Sequence, residues 1–381
     1  MTLRTILFVS HSSHLYGAEQ CLLDIVLNLP STIRPIVLLP SYGPMTHILA
    51  DKNIEHIVVP FRGWTGRNLR LLKGVYRITA NIFAQVRIMI LLRKTQIDMV
   101  YTNTLFAPIG ALLSLFIHAP LVWHVHEFVD EQLDAQFDLG LIFSMKIVNR
   151  LTKFVVCNSN ALGKNMSKFI DEQKIKIVYN GMLEQCNMNK FHFRKGISSK
   201  ALIRLMIVGS INVNKGQYEA IMAVNELILM KKNVELIVVG NGSVSYVNEL
   251  KKLTRQLDIS ERIKWEGFII KVMDYYLLSD ILIVCSKFET FGRVAVEAMS
   301  TGCPVVAANT GGIPEIIKDG FDGKLYHTGE YRELAEKIAT LIDDDEQYMK
   351  ISNNSILSSF SRFGRDRYVR ELLDICEQTW I

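Results

Sequence analysis

Glu289 and Glu297 flank Phe291-Gly292-Arg293-Val294 in a segment that follows an apolar run at 281–285. That order predicts a strand, then a loop holding Glu289, then a helix opening near Gly292. Helix periodicity does not align the two carboxylates, but both can reach the rim of one site at the helix N-terminus. The N–H groups of Gly292, Arg293 and Val294 would face an anion there. Carboxylates accept hydrogen bonds from hydroxyls, so the arrangement suits a ligand carrying phosphates and hydroxyls, as a nucleotide sugar does. Taken alone, the pattern also fits a Glu297 that merely caps or ion-pairs.

Other residues could serve the same ligand. Gly17, between an early strand and a helix, lets backbone N–H groups approach a phosphate, although a generic turn glycine would look the same. Lys215, five residues beyond Val208-Gly209-Ser210 and just before Gly216, suits a diphosphate counter-charge, and equally a solvated surface lysine. Gly240-Asn241-Gly242 lacks the third glycine of a dinucleotide fingerprint and follows the second strand of its half, which argues against that reading. His124 and His126 are expected to part to opposite faces of a strand end, one buried and the other facing a cleft.

Metal chemistry finds little support. The pairs His11/His14 and His124/His126 lack a convincing set of further ligands, and Asp343-Asp344-Asp345 follows a helical stretch, not a strand. The six cysteines form no C-x-x-C pair, which argues against a zinc ribbon and for a reducing compartment.

The elements that must position these groups are legible from hydropathy. Short apolar runs occur at 6–9, 36–39, 57–59, 99–101, 121–125, 154–157 and 175–179, then at 205–208, 236–239, 263–265, 281–285 and 305–308. Each ends in turn residues and leads into a helical stretch, as in parallel sheets covered on both faces. The class is α/β, with two doubly wound halves. The boundaries expected are 1–185, a polar linker at 186–203, 204–364, and a closing amphipathic helix at 365–381 packing back on the first half. Ligands of such sheets bind outside the carboxyl ends of the strands, so a shared ligand is expected in a cleft between the halves.

The chain has 381 residues, 49% hydrophobic and 21% charged, enough to bury large cores. Its net charge of +5 is uneven: residues 1–190 carry 19 Lys+Arg against 13 Asp+Glu. Between His56 and Ile97 there is no Asp or Glu but eight basic residues, among them Arg62, Arg67, Arg70, Lys73 and Arg77, interleaved with apolar ones. That composition suits an amphipathic helix on anionic lipid, and also an ordinary helix with a basic solvated face. Nucleic acid is a poor partner, since no recognition motif accompanies the charge. The opening residues read as a strand rather than a signal peptide. The strongest transmembrane candidate, 105–125, is broken by Pro108, His118 and Pro120, and reads as a buried helix, a turn and a strand.

Over essentially its full length the chain resembles the retaining glycosyltransferases of family 4, which have the two-domain GT-B fold. The resemblance is carried by Glu289-x7-Glu297 with its Phe291-Gly292 core, Gly302-Cys303-Pro304-Val305-Val306, Gly311-Gly312-Ile313-Pro314-Glu315 and Asp319-Gly320-Phe321-Asp322-Gly323. Lys215-Gly216, Tyr179-Asn180-Gly181 and Gly17-Ala18-Glu19 match more loosely. The resemblance implies that Glu297 holds the ribose hydroxyls and that Glu289 lies beside the transferred sugar. It assigns the diphosphate to Lys215 and the backbone at 291–294, with Gly17 closing over it, and the donor sugar and acceptor to His126. It implies no cofactor and no essential metal, helix dipoles and basic side chains standing in for a cation. It also implies a peripheral enzyme on the inner face of the cytoplasmic membrane, with a lipid-linked or saccharide acceptor. One departure is Ser210, where the family usually has an arginine; a missing charge-assisted hydrogen bond weakens binding by about 1.5–3 kcal/mol. A nucleotide-sugar epimerase of related architecture and an idle sugar-nucleotide scaffold are the rival readings.

Overall fold

The structure, a computed structural model, describes residues 3–66, 71–129, 136–184, 194–269 and 271–380, leaving out the side chains of 71–73. The chain divides into two compact units, Met1–Met182 with Arg365–Ile381, and Leu183–Gly364.

The first unit begins with β1 (Arg4–Ser10), α1 (Gly17–Val26), β2 (Ile33–Leu39), α2 (Pro44–Asp51), β3 (Glu55–Val58) and β4 (Thr65–Gly66). It continues with α3 (Leu71–Leu92), β5 (Met99–Asn103), α4 (Ile109–Ile117), β6 (Leu121–Val125) and β7 (Gln136–Phe137). Then come α5 (Leu141–Leu151), β8 (Thr152–Cys157), α6 (Asn160–Met166) and β9 (Ile175–Ile177). The main sheet is parallel, in the order β3-β2-β1-β5-β6-β8-β9, and β4 pairs with β7 antiparallel. Its central strands are buried along almost their whole length because cores lie on both faces, with α3 to α6 over one and α1 and α2 over the other.

The second unit runs β10 (Ile203–Val208), α7 (Gln217–Leu229), β11 (Val234–Val239), α8 (Val244–Gln256), β12 (Ile263–Gly267) and α9 (Val272–Leu278). It closes with β13 (Ile281–Val284), α10 (Arg293–Ser300), β14 (Val305–Ala308), α11 (Ile313–Ile316), β15 (Lys324–Tyr326), α12 (Tyr331–Asp343) and α13 (Asp345–Arg362). Its parallel sheet has the order β12-β11-β10-β13-β14-β15. The last helix, α14 (Arg365–Thr379), belongs to the first unit, where it buries Tyr368, Leu372 and Ile375 in the core it shares with α1. In each sheet the order reverses beside the first strand, at β1/β5 and at β10/β13, and a crevice opens at such a switch point.

The stretch 105–125 is, as expected, a helix (α4), a turn with His118 in the left-handed region (φ 58°), and a strand (β6). Other expectations need adjustment. The longest apolar helix is instead α3: among the described residues Gly74–Leu92 alone is long and apolar enough to cross a membrane. From residue 194 the stretch read as a linker is fastened within the second unit. Arg194 donates to the carbonyls of Tyr276 and Ser279, and Ser198 N donates to Asp345 Oδ1 at 2.8 Å. Asp344 caps α13 by accepting from Gln347 N at 2.9 Å, so the aspartate run has structural work.

Candidate functional site

In the second unit the loop after β13 is held between two glycine-bearing backbones. Gly311 (φ 53°) and Gly312 lie against it so closely that an added Cβ would stand 2.0 Å from Glu289 O and 2.3 Å from Thr290 O. Gly312 N donates to Glu289 O at 2.9 Å, which fastens the two loops together. On the other side Gly216 (φ 69°) abuts Cys285 O, 2.2 Å from where its Cβ would be. Asn214 closes the seam, accepting from Phe288 N at 3.1 Å and donating to Phe288 O at 3.2 Å. The motif glycines are therefore places where backbones touch.

This seam sets the side chains. Lys215 Nζ lies 2.6 Å from Glu289 Oε2, and Ser286 Oγ donates to the same oxygen at 3.2 Å. Phe291 is buried edge-on against Phe363, anchoring the turn into α10. Gly292, with φ 109°, precedes the first residue of that helix. Glu297 accepts from Tyr276 OH at 3.1 Å and lies 3.8 Å from Arg293. Lys215, Glu289, Gly292, Arg293 and Glu297 are thus brought to one loop and helix start beside the β10/β13 switch point. Val294 occupies the first turn of α10. Ser210 is exposed, its hydroxyl accepting from Asn212 Nδ2 at 2.9 Å. Gly240 and Gly242 are spacers as well, each leaving no room for a Cβ against Gly209 O and Ile211 O.

In the first unit, α1 opens at exposed Gly17 with no side-chain cap, so its first N–H groups find no acceptor from that source. His124 and His126 do not part to opposite faces. Residues two apart on a strand share a face, and their rings lie 4.1 Å apart. His124 is fully buried against Tyr101 OH at 2.8 Å, and burial holds its pKa down to about 3. His126 is partly exposed and hydrogen-bonded through Nε2 to Asn103 Oδ1 at 2.9 Å. Asn103 Nδ2 donates to Ala18 O at 3.0 Å. The asparagine oxygen must then accept, which puts a proton on His126 Nε2.

Sequence reasoning missed this shell. Asn103, Ala18 and His126 lie on three separate segments, and no local pattern joins them. It also missed two acids, buried Glu19 and half-buried Glu127: loss of solvation lifts both to a pKa of about 7. Glu19 lies 3.1 Å from His11, whose pKa burial lowers to about 4. A glutamate protonated more readily when folded than when unfolded loses stability as pH rises from about 4.5 through 7. His11 acts in the opposite sense, losing stability as pH falls from about 6.5 to 4. Glu19→Gln, neutral throughout, is therefore expected to be about 1–3 kcal/mol more stable than the parent at pH 8.5. The gap should close toward pH 5; thermal melting across that range checks it, and a gap independent of pH would contradict the assignment.

The basic residues divide. Arg62 is exposed, whereas Arg77 turns inward onto buried Asp138, correcting the expectation of an outward basic face at that position. Arg67, Arg70 and the Lys73 side chain lie outside the described residues. Among the described residues no three His, Cys, Asp or Glu side chains are grouped to hold a metal ion. The five described cysteines are buried free thiols.

Residues 188–357 match the family model Glycosyl transferases group 1, and residues 16–182 match Glycosyltransferase Family 4. The chain belongs to glycosyltransferase family 4. An uncharacterized glycosyltransferase of Methanocaldococcus jannaschii is 27% identical over 284 residues, 70% of this chain and 71% of that one. The N-acetyl-alpha-D-glucosaminyl L-malate synthase of Bacillus anthracis is 25% identical, over 61% of this chain and 64% of its own length. Among solved structures, Anabaena Alr3699/HepE in complex with UDP-glucose aligns at a TM-score of 0.80 and 26% identity, covering 98% of this chain and 99% of that one. The fold of this family 4 glycosyltransferase is GT-B, built of two Rossmann-like units.

Proposed function

We propose that this glycosyltransferase retains anomeric configuration, moving a hexose or N-acetylhexosamine from a nucleoside diphosphate to an acceptor hydroxyl. The observation that carries this reading is the pairing, at one glycine-backed loop, of Lys215–Glu289 with Arg293–Glu297. Glu297, oriented by Tyr276, accepts from the ribose hydroxyls. Lys215, Arg293 and the amides at 291–294 take the diphosphate charge, which makes an essential metal unnecessary. Glu289 stands beside the transferred sugar. As the C1–O bond to the diphosphate breaks, the acceptor oxygen bonds to C1 on the same face, and its proton passes to the departing phosphate. His126 is assigned to the donor sugar and acceptor, and Gly17 to the diphosphate.

The Anabaena structure holds UDP-glucose, which supports a UDP-hexose as the first donor to test. The basic first half supports a lipid-linked saccharide acceptor in surface polysaccharide or glycoconjugate biosynthesis, at the inner face of the cytoplasmic membrane. The test is a thermal-shift panel of UDP-, GDP- and ADP-sugars, followed by product analysis. One donor is expected to shift the parent and not Glu297→Ala. Absence of a shift with every donor would overturn the reading in favour of an idle scaffold, and conversion of the donor without acceptor would point to an epimerase.

A further inference from the structure

Helix α3 departs from the pattern of a water-facing helix. Its inward positions mix the polar Arg77, Asn81 and Gln85, one turn apart, with the buried apolar Ala84, Ile88 and Leu92. Arg77 Nε donates to Asp138 Oδ2 at 2.7 Å, and that carboxylate is 2% exposed. Asn81 accepts from Arg62 N at 2.7 Å and donates to Arg62 O at 2.9 Å, while Gln85 Nε2 reaches Leu112 O at 3.4 Å. The outward positions Val75, Ile78, Ile82, Phe83, Val86 and Ile90 are apolar and exposed, Phe83 to 76%. A helix facing water keeps its outward positions polar.

The apolar surface does not end with this helix. α3 lies beside α4 and α4 beside α5, over the same face of the sheet. Phe116 of α4 and Phe143 of α5 are exposed in turn. Among the described residues of these helices the exposed charge is of one sign. Arg87, Arg93, Lys94, Lys146 and Arg150 are exposed, and the sequence has no Asp or Glu in 56–97 or in 139–170. A second copy docked face to face would bring these cations against their own images, since a two-fold interface pairs a patch with itself. An anionic leaflet answers both features, with acyl chains for the apolar face and headgroups for the cations. The buried bonds of Arg77, Asn81 and Gln85 tie α3 along the unit, so it lies in the membrane plane and does not cross.

We propose that α3 docks the enzyme on an anionic bilayer by inserting Ile82, Phe83 and Val86 among the acyl chains, with the tips of α4 and α5 beside it. This rests on the peripheral-membrane part of the proposed function and narrows it from charge attraction to apolar insertion.

The test is flotation of the full chain with vesicles of phosphatidylcholine alone and of phosphatidylcholine with phosphatidylglycerol, at low and high salt. The parent is expected to bind the anionic vesicles and to keep part of that binding at high salt. Phe83→Glu should lower partitioning at least about tenfold at both salts, with its melting temperature and donor shift unchanged. Arg87→Gln with Lys94→Gln should lose binding at low salt chiefly. Parent binding that disappears at high salt and is untouched by Phe83→Glu would overturn the insertion and leave the peripheral reading standing. Failure of the parent to bind any vesicle would overturn both. A concentration-dependent dimer abolished by Phe83→Glu would assign the face to a second copy, and a soluble acidic protein blocking vesicle binding through it would assign it to that partner; either overturns the inference.

Discussion

Glu289→Gln is expected to lower transfer turnover about 10²–10³-fold, the usual cost of removing one group poised for the transition state. The substitution keeps the size of the side chain but removes the charge that holds the Lys215 ammonium at 2.6 Å and the Ser286 hydroxyl at 3.2 Å. The seam is made by the backbone of residue 289, through Gly312 N, so the fold should melt close to the parent temperature. Glu297 is untouched, so donor affinity should change less than turnover. The measurement is kcat and KM with the donor identified by the panel. An unchanged kcat would remove Glu289 from the chemistry; a raised KM with kcat intact would make it a binding residue only.

Gly311→Ala should destabilise the second unit by about 2–4 kcal/mol. Two causes add. The residue has φ 53°, where an L side chain is strained, and its new Cβ would stand 2.0 Å from the Glu289 carbonyl oxygen, backbone that cannot swing aside. The loop must retreat, carrying Glu289 away from Lys215. Urea unfolding should show the lost stability, and turnover should fall with it. The control is Gly320→Ala: its φ of 71° carries the strain, but nothing lies within 4 Å of the added Cβ. If both variants lose the same stability, backbone conformation alone explains the effect and close packing of the two loops does not.

How much of this the sequence carries depends on how local the cause is. Continuous apolar runs such as 121–125 and 305–308 are strands in the structure over those same residues, because burial on both faces needs no partner pattern to be visible. β15 escaped because Lys324 opens it; its ammonium is satisfied at 2.6 Å by Thr340 Oγ1 on α12, a long-range bond with no local signal. The order of Glu289, Gly292, Glu297 and the Gly311-Gly312 pair located the loop and the helix start. What the order could not reveal is that Lys215 and Glu289, 74 positions apart, bond directly. The same limit hid Asn103 behind His126. Helix α3 misled for a different reason: counting its arginines suggested a basic face, but which of them turn inward depends on Asp138, sixty-one residues away.

The last helix alters when, during synthesis, the first unit can be complete. Ile6, Phe8 and Leu22 emerge from the ribosome early, yet the core they form includes Tyr368, Leu372, Ile375 and Cys376. At roughly 5–20 residues per second, residues 183–381 take about 10–40 s to translate. Throughout that interval the nascent N-terminal sheet has one flank uncovered. The continuous second unit, though made later, has all its strands before the first receives its final helix. The usual N-terminal-first order of completion is reversed, and the open flank is where a chaperone or a misplaced apolar segment would find the growing chain.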